Sequence, residues 1–253
     1  MKPTQHRHSE SSGAGYPSTI WLHGWGYDHQ GFQRIASLFE GTGTQKLFDL
    51  PGFGKSPVLF EGAATKDYAE ALAAQLEDDG GKHILVGHSY GGRVAVQFAA
   101  HYPECVKAII LIGGAGLPRR RSFAFKVKAL WLKLLGRLAR LADRFFKTDL
   151  RDAYVARFGS ADYKAAGPLR GTLVSAVNEN LSPQAKQVKC PTLLLYGSGD
   201  TDTPAEIGRR YEQLIPIARF VELKGYDHHD ILTRGAYQCE ALIKGFLKDI
   251  ENE

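Results

Sequence analysis

The chain has 253 residues, of which 43% are hydrophobic and 23% charged, and a net charge of +5. That length holds one large core or a core with an insertion, and the composition is ordinary for a soluble globular chain. No run approaches the roughly 18 apolar residues of a membrane span, and three scattered cysteines (Cys105, Cys190, Cys239) fit neither a disulfide framework nor a zinc site.

Residues 1–15 are polar and lack an apolar segment. They are expected to form a disordered tail rather than a secretion signal, with a cytoplasmic location as the default. Residues 18–23 read as a short buried strand running into Gly24-Trp25-Gly26, followed by a helix over about 30–39 and a strand at 45–50. Pro51-Gly52-Phe53-Gly54-Lys55-Ser56-Pro57 is a turn cluster whose glycines serve backbone geometry, since P-loop spacing is absent. A helix over about 65–78 precedes the apolar run Ile84-Leu85-Val86, and a further buried strand at 106–112 ends at Gly113-Gly114.

From 117 to 184 the strand rhythm stops and the pattern becomes helical. Alternation then resumes with a strand at 192–196, a helix at 205–214, a strand at 219–223 and a helix at 236–250. Strands alternating with helices predict an α/β protein with a mostly parallel, doubly wound sheet. The predicted core is 16–116 plus 185–253. The helical block at 117–184 is expected to be a lid over the carboxyl ends of the strands, covering Ser89.

Gly87-His88-Ser89-Tyr90-Gly91 lies where the third parallel strand meets a helix. This is G-x-S-x-G, a turn so tight that small neighbours are required, and it would raise the Ser89 hydroxyl above the sheet beside a helix N-terminus. A serine needs a base, and a histidine needs a carboxylate to hold its tautomer. Both residue types follow on loops after later strands, at Gly197-Ser198-Gly199-Asp200-Thr201-Asp202 and Gly225-Tyr226-Asp227-His228-His229.

Taken with His23-Gly24-Trp25-Gly26 and Asp49-Leu50-Pro51-Gly52-Phe53-Gly54-Lys55-Ser56, these motifs make the chain resemble the α/β-hydrolase family over nearly everything after Tyr16. The resemblance implies a serine hydrolase cleaving carboxylic esters through an acyl-enzyme. Its catalytic residues would be Ser89, Asp200 (Asp202 as fallback) and His228 (His229 next in line). The oxyanion-hole donors would be the backbone N–H groups of Trp25 and Tyr90. His23 and His88 match structural positions. A serine at residue 89 speaks against epoxide hydrolases and haloalkane dehalogenases, while a C–C bond hydrolase or amidase could use the same triad. The mechanism requires no metal or organic cofactor, and the adjacent residues 228–230 make a poor metal site because their side chains diverge. Many relatives begin with two antiparallel strands, so a truncated sheet edge with about six core strands is expected here. The region 22–56 also resembles the beginning of the pimeloyl-acyl-carrier-protein methyl ester esterases, whose acyl-carrier-protein partners are acidic.

The positive charge is local. From Arg119 to Lys147 ten basic residues face one acid, a net +9, so the other residues together carry −4 of the chain's +5. Lys126, Lys133, Arg137, Arg140, Arg144 and Lys147 share one helical face, and Val127, Trp131, Leu134, Leu138, Leu141 and Phe145 share another. Gly136 is placed as a break between two helices. The favoured reading packs the apolar stripe over the pocket and leaves the charges solvated. The sharper readings are an anionic membrane surface or an acidic partner. Nucleic acid is disfavoured because no binding motif accompanies the charge. A non-catalytic binding or membrane-associating protein that keeps the fold is the alternative to the enzyme.

Overall fold

Side chains in a strand alternate between the two faces of a sheet, so a run such as Ala108-Ile109-Ile110-Leu111-Ile112 must be covered on both sides. The computed structural model, which describes residues 8–15, 17–76, 80–120 and 123–252, shows that arrangement. Seven strands form one sheet: β1 (Ser9–Ser12), β2 (Thr19–Leu22), β3 (Gln45–Phe48), β4 (His83–His88), β5 (Val106–Ile112), β6 (Thr192–Gly197) and β7 (Ala218–Leu223). Their order is β1-β3-β2-β4-β5-β6-β7, with β1 antiparallel to β3 and every other pairing parallel.

Ten α-helices accompany them among the described residues: α1 (Gln33–Ala36), α2 (Thr65–Leu76), α3 (Tyr90–His101), α4 (Phe123–Phe146), α5 (Leu150–Phe158), α6 (Ala161–Ala165), α7 (Arg170–Asn178), α8 (Ser182–Ala185), α9 (Ala205–Leu214) and α10 (Ala236–Glu251). Leu85, Ile109, Leu111 and Leu194 face a core shared with Leu72 of α2, Val94 and Phe98 of α3 and Tyr211 of α9. Their neighbours Val86, Ile110, Ile112 and Leu195 face a second core closed by Ile35 of α1 and by Ile243 and Phe246 of α10. The doubly wound α/β reading therefore holds.

Several local expectations change. The polar run Ser9–Ser12 is a strand, not a tail, which makes seven strands instead of about six. All four of its side chains are exposed, so an edge strand held by backbone hydrogen bonds leaves no hydrophobic signal to read. Residues 1–7 of the expected tail lie outside the described residues, as does Asp78 at the end of the expected helix over 65–78. The helix expected at 30–39 is α1 flanked by two 3₁₀ turns, His29–Phe32 and Ser37–Phe39.

Gly136 does not break a helix. α4 runs through it, and a Cβ there would lie 3.1 Å from the Tyr154 ring, so the glycine lets α5 approach α4. Leu169, Ala176, Leu181 and Ala185 join the first core, which makes α7 and α8 part of the main packing. Wherever burial is described between 118 and 165, no residue is buried. The stripe expected to pack over a pocket is instead exposed at Val127, Trp131, Leu134, Leu138, Leu141 and Phe145, as is the neighbouring Leu130. The three cysteines are unpaired, as expected.

Candidate active site

The carboxyl ends of β4, β6 and β7 converge on one small region. Ser89 follows β4 directly with φ 49° and ψ −108°, in the left-handed half of backbone space that non-glycine residues rarely occupy. Although Ser89 precedes α3, its side chain does not cap that helix. The turn is held by its own backbone: the Ser89 carbonyl accepts from the N–H groups of Gly92 (3.1 Å) and Ala115 (3.0 Å). Such a turn tolerates little beside it. A Cβ on Gly91 would lie 1.9 Å from the Leu22 carbonyl oxygen, so only glycine lets α3 sit against the end of β2.

The loop after β6 carries Asp200, and the loop after β7 carries His228; both are buried. His228 Nδ1 donates to Asp200 Oδ2 at 2.7 Å, which leaves Nε2 as the ring's other nitrogen, outside this bond. Asp200 Oδ1 accepts from the backbone N–H groups of Asp202 (2.8 Å) and Thr203 (2.7 Å). Thr203 Oγ1 stands 2.8 Å from both Asp200 Oδ2 and the Gly113 carbonyl and donates to one at a time. Burial pushes the Asp200 carboxyl up, but the hydrogen bond and charge of His228, with the Thr203 donors, outweigh it and hold the carboxyl below its ordinary value. Gly113, at φ 52°, forms the floor: a Cβ there would lie 3.2 Å from Asp200 Oδ2, His228 Nδ1 and Thr203 Oγ1 alike.

The fallback residues behave differently. Asp202 and His229 are exposed, 4.0 Å apart, and His229 Nδ1 lies 3.0 Å from the Tyr27 hydroxyl.

His88 and His23 brace the loops. His88 Nε2 donates to the His228 carbonyl at 2.9 Å, and the two rings lie 4.6 Å apart. Burial, then the neighbouring His228, pushes the His88 ring down to about 3, so it stays neutral. His23 Nδ1 donates to the Gly24 carbonyl (2.7 Å) while its Nε2 accepts from the Leu50 N–H (2.9 Å), joining the loops after β2 and β3. The first of those loops presses on Ser89: a Cβ on Gly24 would lie 3.5 Å from Ser89 Cβ. Trp25, the next residue, packs edge-on against Tyr90 (5.3 Å) and Phe53 (5.0 Å). These contacts bring Trp25, Tyr90 and Ser89 into one neighbourhood.

One described cluster has metal-ligand chemistry: His8, His29 and Asp49. Asp49 already accepts from the His29 N–H and Nδ1 (2.8 and 2.7 Å) and the Lys55 N–H (2.9 Å), with His8 Nδ1 at 3.0 Å. It ties the edge of the sheet to the turn after β3. Two cavities of about 290 and 380 Å³ lie against α5, and neither is lined by Ser89, Asp200 or His228.

Sequence reasoning passed over Thr203 and Gly113. The signal for Thr203 was an aspartate followed three residues later by a threonine before the proline that opens α9, an arrangement suited to a carboxylate taking local backbone donors.

The profile of the alpha/beta hydrolase family matches residues 19–237, which spans all of this machinery. The chain belongs to that family. Being an α/β-hydrolase, it is read as the enzyme of the two alternatives and not as the non-catalytic binder. Among its relatives, the pimeloyl-[acyl-carrier protein] methyl ester esterase of Chromobacterium violaceum is 29% identical over 246 residues, 88% of this chain and 91% of the relative. The protein of the same name from Proteus mirabilis is 28% identical, over 93% of this chain and 94% of its own. The solved structure of a thermophilic esterase from Thermogutta terrifontis shares the α/β-hydrolase fold at a TM-score of 0.71 and 20% identity, covering 96% of this chain and 93% of that one.

Proposed function

We propose that this α/β-hydrolase is a serine esterase in which Ser89 is the nucleophile, His228 the base and Asp200 the group that orients and stabilises the histidine. The observation that carries the reading is the buried 2.7 Å contact between His228 Nδ1 and Asp200 Oδ2, on the loops beside a strained serine turn. Because Nδ1 is committed to the carboxylate, Nε2 is free to take the Ser89 proton. Ser89 Oγ then bonds to the ester carbonyl carbon, and the carbonyl oxygen becomes negative against the backbone N–H groups of Trp25 and Tyr90 at the N-terminus of α3. Collapse expels the alcohol, which leaves with the proton from His228. A water molecule, deprotonated by His228, attacks the acyl-Ser89 ester; the acid departs and Ser89 recovers its proton. One ester and one water give one acid and one alcohol.

The names of the two relatives suggest a narrower substrate, the methyl ester of an acyl chain carried on an acyl-carrier protein. The helical segment between β5 and β6 is proposed as the lid that sets the size of the acyl group.

Fluorophosphonate labelling of wild-type and Ser89→Ala protein, followed by turnover of p-nitrophenyl esters of graded chain length, tests the mechanism. Labelling and turnover that vanish with Ser89, the latter by on the order of a millionfold, are expected. Equal labelling of the two proteins would sink the assignment of Ser89.

A further inference from the structure

Among the described residues, most of the apolar side of helix α4 is left uncovered. Trp131 is 67% exposed, Leu130 68% and Phe145 74%, and the stripe continues through Val127, Leu134, Leu138 and Leu141. α5 packs beside the stripe, on the side marked by Gly136 and the Tyr154 ring, and Leu138 alone of the stripe also borders the groove between the two helices. Along the edge of the stripe run Lys133, Arg137, Arg140 and Arg144, all exposed. At 1.5 Å per residue, the stripe from Val127 to Phe145 runs over about 27 Å.

We propose that α4 docks on an anionic lipid bilayer, lying in the plane of the interface with its stripe among the acyl chains and its cations at the headgroups. A basic polar face beside Trp, Phe and Leu is the pattern of an interfacial helix. Charge decides among the occupants. The stripe repeats at steps of four and three, which would also suit a coiled coil with a second copy, but Lys128, Arg137 and Arg144 flank it and would meet their own kind across such a pair. No described helix is long and apolar enough to cross a membrane, so α4 would lie on the surface. The segment 119–147 holds the chain's positive charge while the remainder is negative, which would orient the molecule with α4 toward an anionic surface.

The test is co-sedimentation of the full chain with vesicles of equal parts phosphatidylcholine and phosphatidylglycerol, compared with phosphatidylcholine alone, at low and high salt. Two multiple variants accompany it: W131S/L138S/F145S for the stripe and K133Q/R137Q/R144Q for the cations. Circular dichroism and thermal unfolding check that each retains the fold. Expected are binding to the anionic vesicles at least about tenfold tighter than to the neutral ones, weakening with salt, and loss in both variants. Absence of binding to the anionic vesicles overturns the proposal, whatever protein the helix is found to bind. So does binding that survives the stripe variant, or a wild-type dimer in sedimentation velocity that the stripe variant abolishes. The inference does not rest on the esterase reading, because sedimentation reports binding and not turnover; fluorophosphonate labelling of Ser89 reports on that reading separately.

Discussion

His88 shows how a residue next to the proposed nucleophile Ser89 can hold the candidate site together from behind. Its ring is buried, its ordinary value of 6.5 is pushed down to about 3, and its Nε2 holds the backbone of His228. A histidine whose folded value lies below its unfolded one contributes stability fully above pH 6.5, and that contribution drains away as the pH falls toward 3. The slope approaches roughly 1.4 kcal/mol per pH unit, one proton's worth. His88→Asn removes the titrating ring and is therefore expected to be less stable than wild type at neutral pH, with the two unfolding free energies converging as the pH drops from 6.5. Urea titrations across that range measure it, and parallel curves would refute it. The same histidine marks the limit of reading residues from sequence. The proposed triad of Ser89, Asp200 and His228 can be picked out in the sequence because each residue sits in a short motif after a strand, in a set order. The His88 bond to residue 228 and the Thr203 bond to Gly113 span 140 and 90 positions, and only the assembled sheet brings those ends together.

Elements are legible where burial imposes a period and illegible where it does not. β5 is bounded at 106–112 in sequence and structure alike because all but one of its residues are buried. β1 is invisible because it buries nothing. Gly136 is ambiguous in the sequence because a glycine in a helix has two physical meanings, a break or a close approach, and only the position of Tyr154 separates them. At the turn around Ser89 the meaning is close approach without alternative. Gly91→Ala would put a Cβ 1.9 Å from the Leu22 carbonyl oxygen and 2.7 Å from that of His23, backbone atoms of β2 and its loop that no rotamer can move. α3 would have to lift from the sheet, so a loss of about 3 kcal/mol or more is expected, at the upper end of overpacking costs. The urea midpoint measures it; a midpoint within error of wild type would mean that α3 shifts freely.

For the whole molecule the question is what the segment between β5 and β6 contributes. Both cores are built from residues outside 118–165, and the polar contacts of α4 and α5 are largely internal: Tyr154 with Leu132, Asp143 with Thr148, Leu150 and Arg151. Replacing 123–158 by a flexible linker should therefore leave the sheet, and the Asp200–His228 pair on it, folded. A Gly/Ser linker of about twelve residues has a root-mean-square span of roughly 20 Å, and its length is adjusted to the gap. The excised stretch holds nine basic and three acidic residues, so the product carries −1 where the chain carries +5. The expected protein melts within a few degrees of wild type, no longer binds a cation exchanger at neutral pH, and still labels with fluorophosphonate. Its preference among esters of graded chain length should flatten, because the proposed lid is what measures the acyl group. A product that fails to fold would show that the helices stabilise the core despite burying none of their residues in it, and a product with an unchanged chain-length preference would place the acyl pocket within the sheet and its loops.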